Sequence, residues 1–253
     1  MQPLLDYGEI KMGKDKQTFK KFSKAKNFGL SDSSKVHLFF ERSGTFKKAF
    51  EKYGFVATDY DMEAEHNEVQ QTDLFLEITK EYYDKSSSVF AEIKDNDLVV
   101  AFFPCTYFSD QSQLASRGDS FGMKDFPQKL KLERSIVDMT ARADFYKTLC
   151  RLCLIAERKN FKLIIENPYG KVNFLKQFFP IKPGLIIHNR MLWGDYFKKP
   201  TQFFFINCIP NFYLEGLCAS PKENNPIEKN HGFSRSRISS RFAENFIESV
   251  ILD

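Results

Sequence analysis

The chain is predicted to be an α/β protein with a mainly parallel sheet and helices on both faces. Three observations predict it. Short apolar runs at 36–40, 97–103 and 161–165 have the length and composition of buried strands. Stretches with apolar residues three and four apart fall between them, so strands alternate with helices. Unusual residues then recur where the runs end, the place at which open parallel sheets bind ligands. With 253 residues, 42% hydrophobic and 28% charged, the composition excludes a disordered chain and suits a single domain. No apolar run approaches the roughly 20 residues of a membrane span. Lysines from Lys11 onward leave no secretory apolar core near the N-terminus.

Residues 1–35 carry eight Lys against four acids, an excess equal to the whole net charge of +4. They are expected to form a basic N-terminal arm, read either as a solvated leader or as a contact for nucleic-acid phosphates. The domain proper is expected over 36–253. Val36 to Phe40 reads as the first strand and Glu41-Arg42-Ser43-Gly44 as a tight turn. A helix from Thr45 follows, with Phe46, Phe50 and Tyr53 on one face and Gly54 closing it. Phe55 to Asp61 is a second strand ending in acid, and Thr72-Asp73 follows a polar, acidic loop. Asp97 to Phe103 is the clearest buried strand and ends at Pro104-Cys105. Residues 106–127 are polar and read as a long exposed loop. One helix or two are expected over 129–158, with Phe145, Leu149, Leu152 and Ala156 sharing a face. Phe161 to Ile165 is a strand ending at Glu166-Asn167-Pro168, and 185–188 and 202–207 are two more. The last helix spans about 240–252, with Phe242, Phe246, Ile247, Val250 and Ile251 inward.

The five cysteines are Cys105, Cys150, Cys153, Cys208 and Cys218. An odd count without a secretory leader points to reduced, intracellular thiols. Cys150 and Cys153 form a CxxC within an apolar helical pattern, and the Cys208–Cys218 spacing is too wide for a usual zinc knuckle. No metal site is therefore assigned. Cys105 is different, because Pro104 ends its strand and aims the thiol at the strand-end crevice. Its bland reading is a small buried hydrophobe. Glu166 ends the next long strand, where a carboxylate is costly to desolvate without a partner, and its bland reading is a loop or cap carboxylate. Together the two suggest a nucleophilic thiol with a nearby acid. A thiol hydrolase would need a His beside Cys105, and none of the four His is evidently placed for it.

In order and content the motifs resemble those of DNA cytosine carbon-5 methyltransferases, and more narrowly a compact phage and prophage group of cytosine-methyltransferase-like proteins. The resemblance covers about residues 36–252. Phe39-Phe40-Glu41-Arg42-Ser43-Gly44-Thr45 resembles the cofactor loop, Asp61 the ribose-binding acid, and Thr72-Asp73 the acid beside the adenine. Pro104-Cys105-Thr106-Tyr107-Phe108-Ser109 resembles the Pro-Cys-x-x-Phe-Ser loop of the catalytic thiol. Ile165-Glu166-Asn167-Pro168 resembles the Glu-Asn-Val motif that binds the target base. The segments 193–201 and 235–238, with the last helix, resemble signatures of the compact group.

The resemblance implies a Rossmann-like class I S-adenosylmethionine-dependent fold. It implies Cys105 and Glu166 as catalytic residues, and Phe40, Gly44, Thr45, Asp61, Asp73 and Pro104 as cofactor-binding residues. S-adenosylmethionine is the implied cofactor. DNA, duplex or single-stranded, or a pyrimidine nucleotide is the implied partner, with no membrane, in the cytoplasm of a bacterial or phage-infected cell. Three departures accompany it. Arg42 stands where the family has a first loop glycine, and a side chain there is expected either to crowd the cofactor or to demand an unusual backbone. The family's Gln-x-Arg-x-Arg segment is missing, with Lys198-Lys199 the nearest charge. Only 25 residues, 208–232, stand where a target-recognition domain is expected. They favour the alternative of an inactive or altered methyltransferase-like protein acting by binding, for instance as a phage regulator or anti-restriction factor.

Overall fold

The computed structural model describes residues 28–31, 33–63, 67–211 and 237–252. Most of the expected basic arm lies outside the described residues, as do Cys218, His66, His231 and Arg235-Ser236. The strands are β1 (Lys35–Phe39), β2 (Val56–Asp61), β3 (Gln70–Gln71), β4 (Leu98–Ala101), β5 (Lys162–Pro168), β6 (Leu185–Ile187) and β7 (Thr201–Ile206). They form one sheet in the order β3-β2-β1-β4-β5-β7-β6. Pairing is parallel from β3 through β5, and β7 is antiparallel to both β5 and β6. Among the described strands only β7 is therefore reversed. No helix among the described residues is long and apolar enough to cross a membrane.

The helices are α1 (Thr45–Lys52), α2 (Leu74–Tyr83), α3 (Ser88–Ala91), α4 (Asp110–Ser116), α5 (Gln128–Lys159), α6 (Phe174–Phe178) and α7 (Ser240–Phe246). A π-helical turn, Ile247–Ile251, continues α7. The period of two along each strand divides the core. Val36, Leu38, Val100, Ile164 and Phe203 pack against Phe46 and Phe50 of α1 and Phe242 and Phe246 of α7. Phe39, Val99, Leu163, Ile165 and Phe204 face the other way, toward Ile78 of α2 and Leu149, Leu152 and Ala156 of α5. Each such side chain, fully buried, contributes roughly 1.5–3 kcal/mol. Burial on both faces explains why β4 and β5 read as continuous apolar runs rather than alternating ones.

The predicted long loop over 106–127 is not what forms. Ser109 accepts a hydrogen bond from Ser112 N at 3.3 Å and caps α4, and a 3-10 turn follows at Phe121–Met123. The reason is tertiary. Arg142 on α5 donates to Tyr107 O at 2.9 Å and to Ser116 Oγ at 2.7 Å, holding a segment too polar to announce a helix. The stretch over 129–158 is one helix, α5, of 32 residues, about 48 Å long at 1.5 Å per residue. Asn160 ends it in the left-handed conformation, at φ 58°. β3, α2 and α3 were not legible in the sequence. Asp73 caps α2 by accepting from Leu76 N at 3.1 Å.

Candidate active site

The carboxyl ends of β1, β2, β4 and β5 open on one cleft of about 580 Å³. One side is built from Phe40 to Ser43, Asp61 to Glu63 and Thr72 to Phe75. The turn after β1 reverses within five residues, with Phe40 at φ 59° and Gly44 at φ 67°. Glycine adopts that conformation freely, whereas a phenylalanine there stores about 1–3 kcal/mol of strain. Phe40 is held in it by a hydrogen bond from its N to Tyr60 O at 2.9 Å and by edge contacts with Phe103 and Phe75 at 5.3 and 5.7 Å. The three rings give this side of the cleft an apolar floor. Gly44 and Thr45 do not line the cleft; Gly44 caps α1, and the Ser43 and Thr45 hydroxyl oxygens lie 2.9 Å apart.

Arg42 lines the cleft. Its guanidinium turns to Glu63, 2.6 Å away, at the cleft edge. Asp61 Oδ1 accepts from Glu63 N at 2.8 Å. Burial holds the Asp61 carboxyl above the usual carboxylate range, partly offset by that backbone donor and by Arg42. Glu41 is more deeply buried and accepts from both the amide and the hydroxyl of Ser43. Burial raises its carboxyl, the Ser43 donors oppose the rise, and nearby Asp59 adds to it. An ionised Glu41 is thus disfavoured in the folded state, and the cost is present above its raised value and absent below the usual carboxylate range. Glu41→Gln is expected to raise the melting temperature at neutral pH, with the gain vanishing at acid pH. Equal melting temperatures at both pH values would refute this.

The other side carries the thiol. Pro104 and Cys105 follow β4 and line the cleft, with Cys105 half-buried. Phe108 N and Ser109 N both donate to Cys105 O, at 3.0 and 3.2 Å, folding the loop back on itself. The fully buried Phe108 ring stacks between Phe103 and Phe174, with centroids 6.0 and 5.8 Å away. Asn167 Nδ2 donates to Phe103 O at 3.1 Å, tying the end of β5 to the start of the thiol loop. Phe108, Ser109 and Asn167 therefore hold the thiol loop and the end of β5 in place. Burial pushes the Cys105 thiol up, Lys199 pulls it back, and Glu166 adds to the rise. Cys153 and Cys208 are pushed up to about 12 by burial, and neither lines the cleft. Among the described residues no group of three or more potential metal ligands gathers.

Glu166 faces the cleft at 7% exposure, and its Oε1 accepts no hydrogen bond from the described residues. The guanidinium of Arg190 lies 3.8 Å from that oxygen. Arg190 is 1% exposed and packs over the Phe242 ring at 4.5 Å. Its second partner, Asp195, lies 2.5 Å away but off the N–H direction, so the contact is an ion pair rather than a directed hydrogen bond. Asp195 Oδ1 also accepts from Ser239 N at 3.0 Å, which links the pair to the start of α7. Sequence reasoning missed Arg190 and put the nearest charge at Lys198-Lys199. Lys199 does line the cleft and acts on the thiol, but Arg190 serves the carboxylate. No local signal marks it, because an Arg after a short strand is ordinarily exposed and the neighbouring Met191 and Leu192 are exposed here.

The structure thus brings Cys105, Glu166, Phe40, Asp61, Asp73 and Pro104 to one cleft and leaves Gly44 and Thr45 outside its lining. Four acids (Glu41, Asp61, Glu63, Asp73) gather on one side with Arg42 among them, and the basic Arg190 and Lys199 stand near Glu166 on the other. Comparison with protein-family models gives no match, and comparison with curated proteins gives none either.

Proposed function

We propose that this protein transfers a methyl group from S-adenosylmethionine to carbon 5 of cytosine in DNA, through a transient bond between Cys105 and carbon 6. The observation that carries the reading is the meeting of Cys105 and Glu166, whose Oε1 accepts no hydrogen bond from the described residues, at the ends of adjacent strands, β4 and β5. The reversed β7 between β5 and β6 supports a class I methyltransferase arrangement within the α/β class. The acidic side of the cleft fits the cofactor. Asp61 has a carboxylate oxygen for a ribose diol, Phe40, Phe75 and Phe103 offer flat apolar surface, and the carboxylates suit a ligand with a cationic centre. S-adenosylmethionine, when bound, supplies an electrophilic methyl group.

The residues of this chain do the rest. The Cys105 thiolate adds to carbon 6 of the ring, and electron density moves to carbon 5. The Glu166 carboxyl, held beside Arg190, gives a proton to ring nitrogen 3 as the thiolate adds, which stabilises that density, and takes it back when the bond to carbon 6 breaks. Carbon 5 accepts the methyl group, its proton leaves to a base, and the Cys105–carbon 6 bond breaks to return the thiolate. Both groups sit in the cleft floor, so the base has to leave its stack to meet them. Incubation with labelled cofactor and a panel of duplex DNA, single-stranded DNA, RNA and free cytidine nucleotides tests the reading. Label in none of them overturns it.

The reading of a protein that acts by binding is favoured by one observation, the burial that raises the Cys105 thiol above its ordinary value and so disfavours the thiolate. Calorimetry bears on the cofactor side. Asp61→Ala is expected to weaken S-adenosylmethionine binding by about tenfold, the loss of a hydrogen bond to a charged group. Unchanged affinity would exclude Asp61 as the ribose contact.

A further inference from the structure

Residues 169–200 hold six basic residues and a single acid, Asp195, although the whole chain carries only +4. Asp195 is committed to the buried Arg190. The remaining cations have no acid within the segment to balance them, although Asp110 of α4 accepts from Lys171 N at 2.9 Å, and Lys171, Lys176 and Lys198 are exposed. Rings are interleaved with these charges. Tyr169 directly follows Pro168, which lines the cleft, and its backbone N donates to Pro200 O at 2.9 Å, beside cleft-lining Lys199. The exposed His188 meets the Tyr169 ring edge-on with centroids 5.5 Å apart, and Lys176 Nζ stands 5.1 Å from the same ring. Tyr196, nearby in the chain, is 43% exposed.

We propose that this rim binds an unpaired stretch of nucleic acid, with a base stacked on one ring of the perpendicular Tyr169–His188 pair and edge-on to the other, and phosphates met by Lys171, Lys176, Lys198 and Lys199. The proposal rests on the methyl-transfer reading and narrows its substrate to single strands. Base faces are accessible only where bases are unstacked, so ring platforms among lysines discriminate for single strands. A duplex would offer the same lysines its phosphates but the rings nothing to stack on. A strand held here would present its next base to the adjoining cleft without the cost of opening a pair.

Fluorescence anisotropy of the full chain, without cofactor, tests this with a short labelled DNA strand and a hairpin duplex of the same composition. The strand is expected to bind tighter, by about tenfold. Tyr169→Leu is expected to weaken strand binding by about tenfold and leave duplex binding unchanged, while Tyr169→Phe retains it. Lys171→Ala and Lys176→Ala are each expected to flatten the salt dependence of strand binding by about 0.7 in log–log slope. Equal or tighter duplex binding, or strand binding untouched by Tyr169→Leu in a variant of unchanged melting temperature, overturns the proposal. Either result leaves methyl transfer to duplex or free nucleotide standing. Absence of methyl transfer alongside strand-selective binding would instead overturn the functional reading alone.

Discussion

Cys105→Ser is expected to abolish methyl transfer, with a loss on the order of a thousandfold or more, while S-adenosylmethionine affinity stays within about twofold. The separation follows from the cleft. The thiol stands on the β4 side with Glu166 and Lys199, whereas Asp61 and Phe75 lie across from it. Substrate carrying 5-fluorocytosine is expected to trap a covalent adduct on the wild-type chain, because carbon 5 then has no proton to lose. The adduct should be absent from Cys105→Ser. Transfer that survives the substitution would refute the covalent route. The pH dependence has a definite sign. Burial places the thiol above its ordinary value, so alkylation of Cys105 by iodoacetamide should accelerate with pH and reach its midpoint above the ordinary thiol range. Lys199→Met removes a charge that favours the thiolate and should move that midpoint higher still. A midpoint at or below the ordinary value would mean the thiol is pre-ionised.

Arg190→Met is expected to cost about 3–5 kcal/mol of stability, and about 10 °C in melting temperature. The side chain is among the most deeply buried in the protein, and its removal leaves Asp195 and Glu166 in the interior without their cation. Methionine replaces the stem that packs over Phe242, so the loss isolates the charge. Arg190→Met combined with Asp195→Asn should recover much of the stability, because the uncompensated charge is then gone. Methyl transfer should remain impaired in the double variant, since Glu166 still lacks its neighbour. A single variant as stable as the wild type would show that Arg190 is dispensable to the fold.

The strands were legible because burial on both faces leaves its mark in composition alone. Leu98 to Ala101 and Lys162 to Pro168 lie where uninterrupted apolar runs predict them. The thiol and the carboxylate were legible for a related reason: Pro104 and Pro168 punctuate the strand ends and draw attention to their neighbours. Residues 106–127 misled because the helix there is held by Arg142, 35 positions from Tyr107 in sequence. A polar helix so anchored has no apolar period to read. The two-residue β3 is too short to carry any period.

The amino-acid sequence by itself determined the α/β class, the strand ends and the residue types set upon them, because each depends on local period and local punctuation. Only the tertiary structure decided which of those residues meet. It joined β4 to β5, so that Cys105 and Glu166 share a cleft, and it locked the two ends together through Asn167. It paired Arg42 with Glu63 and brought Arg190 to Glu166. Arg190 is set by contacts with β5 and α7, far apart in sequence, and a buried charge finds its partner only when the chain has closed around it.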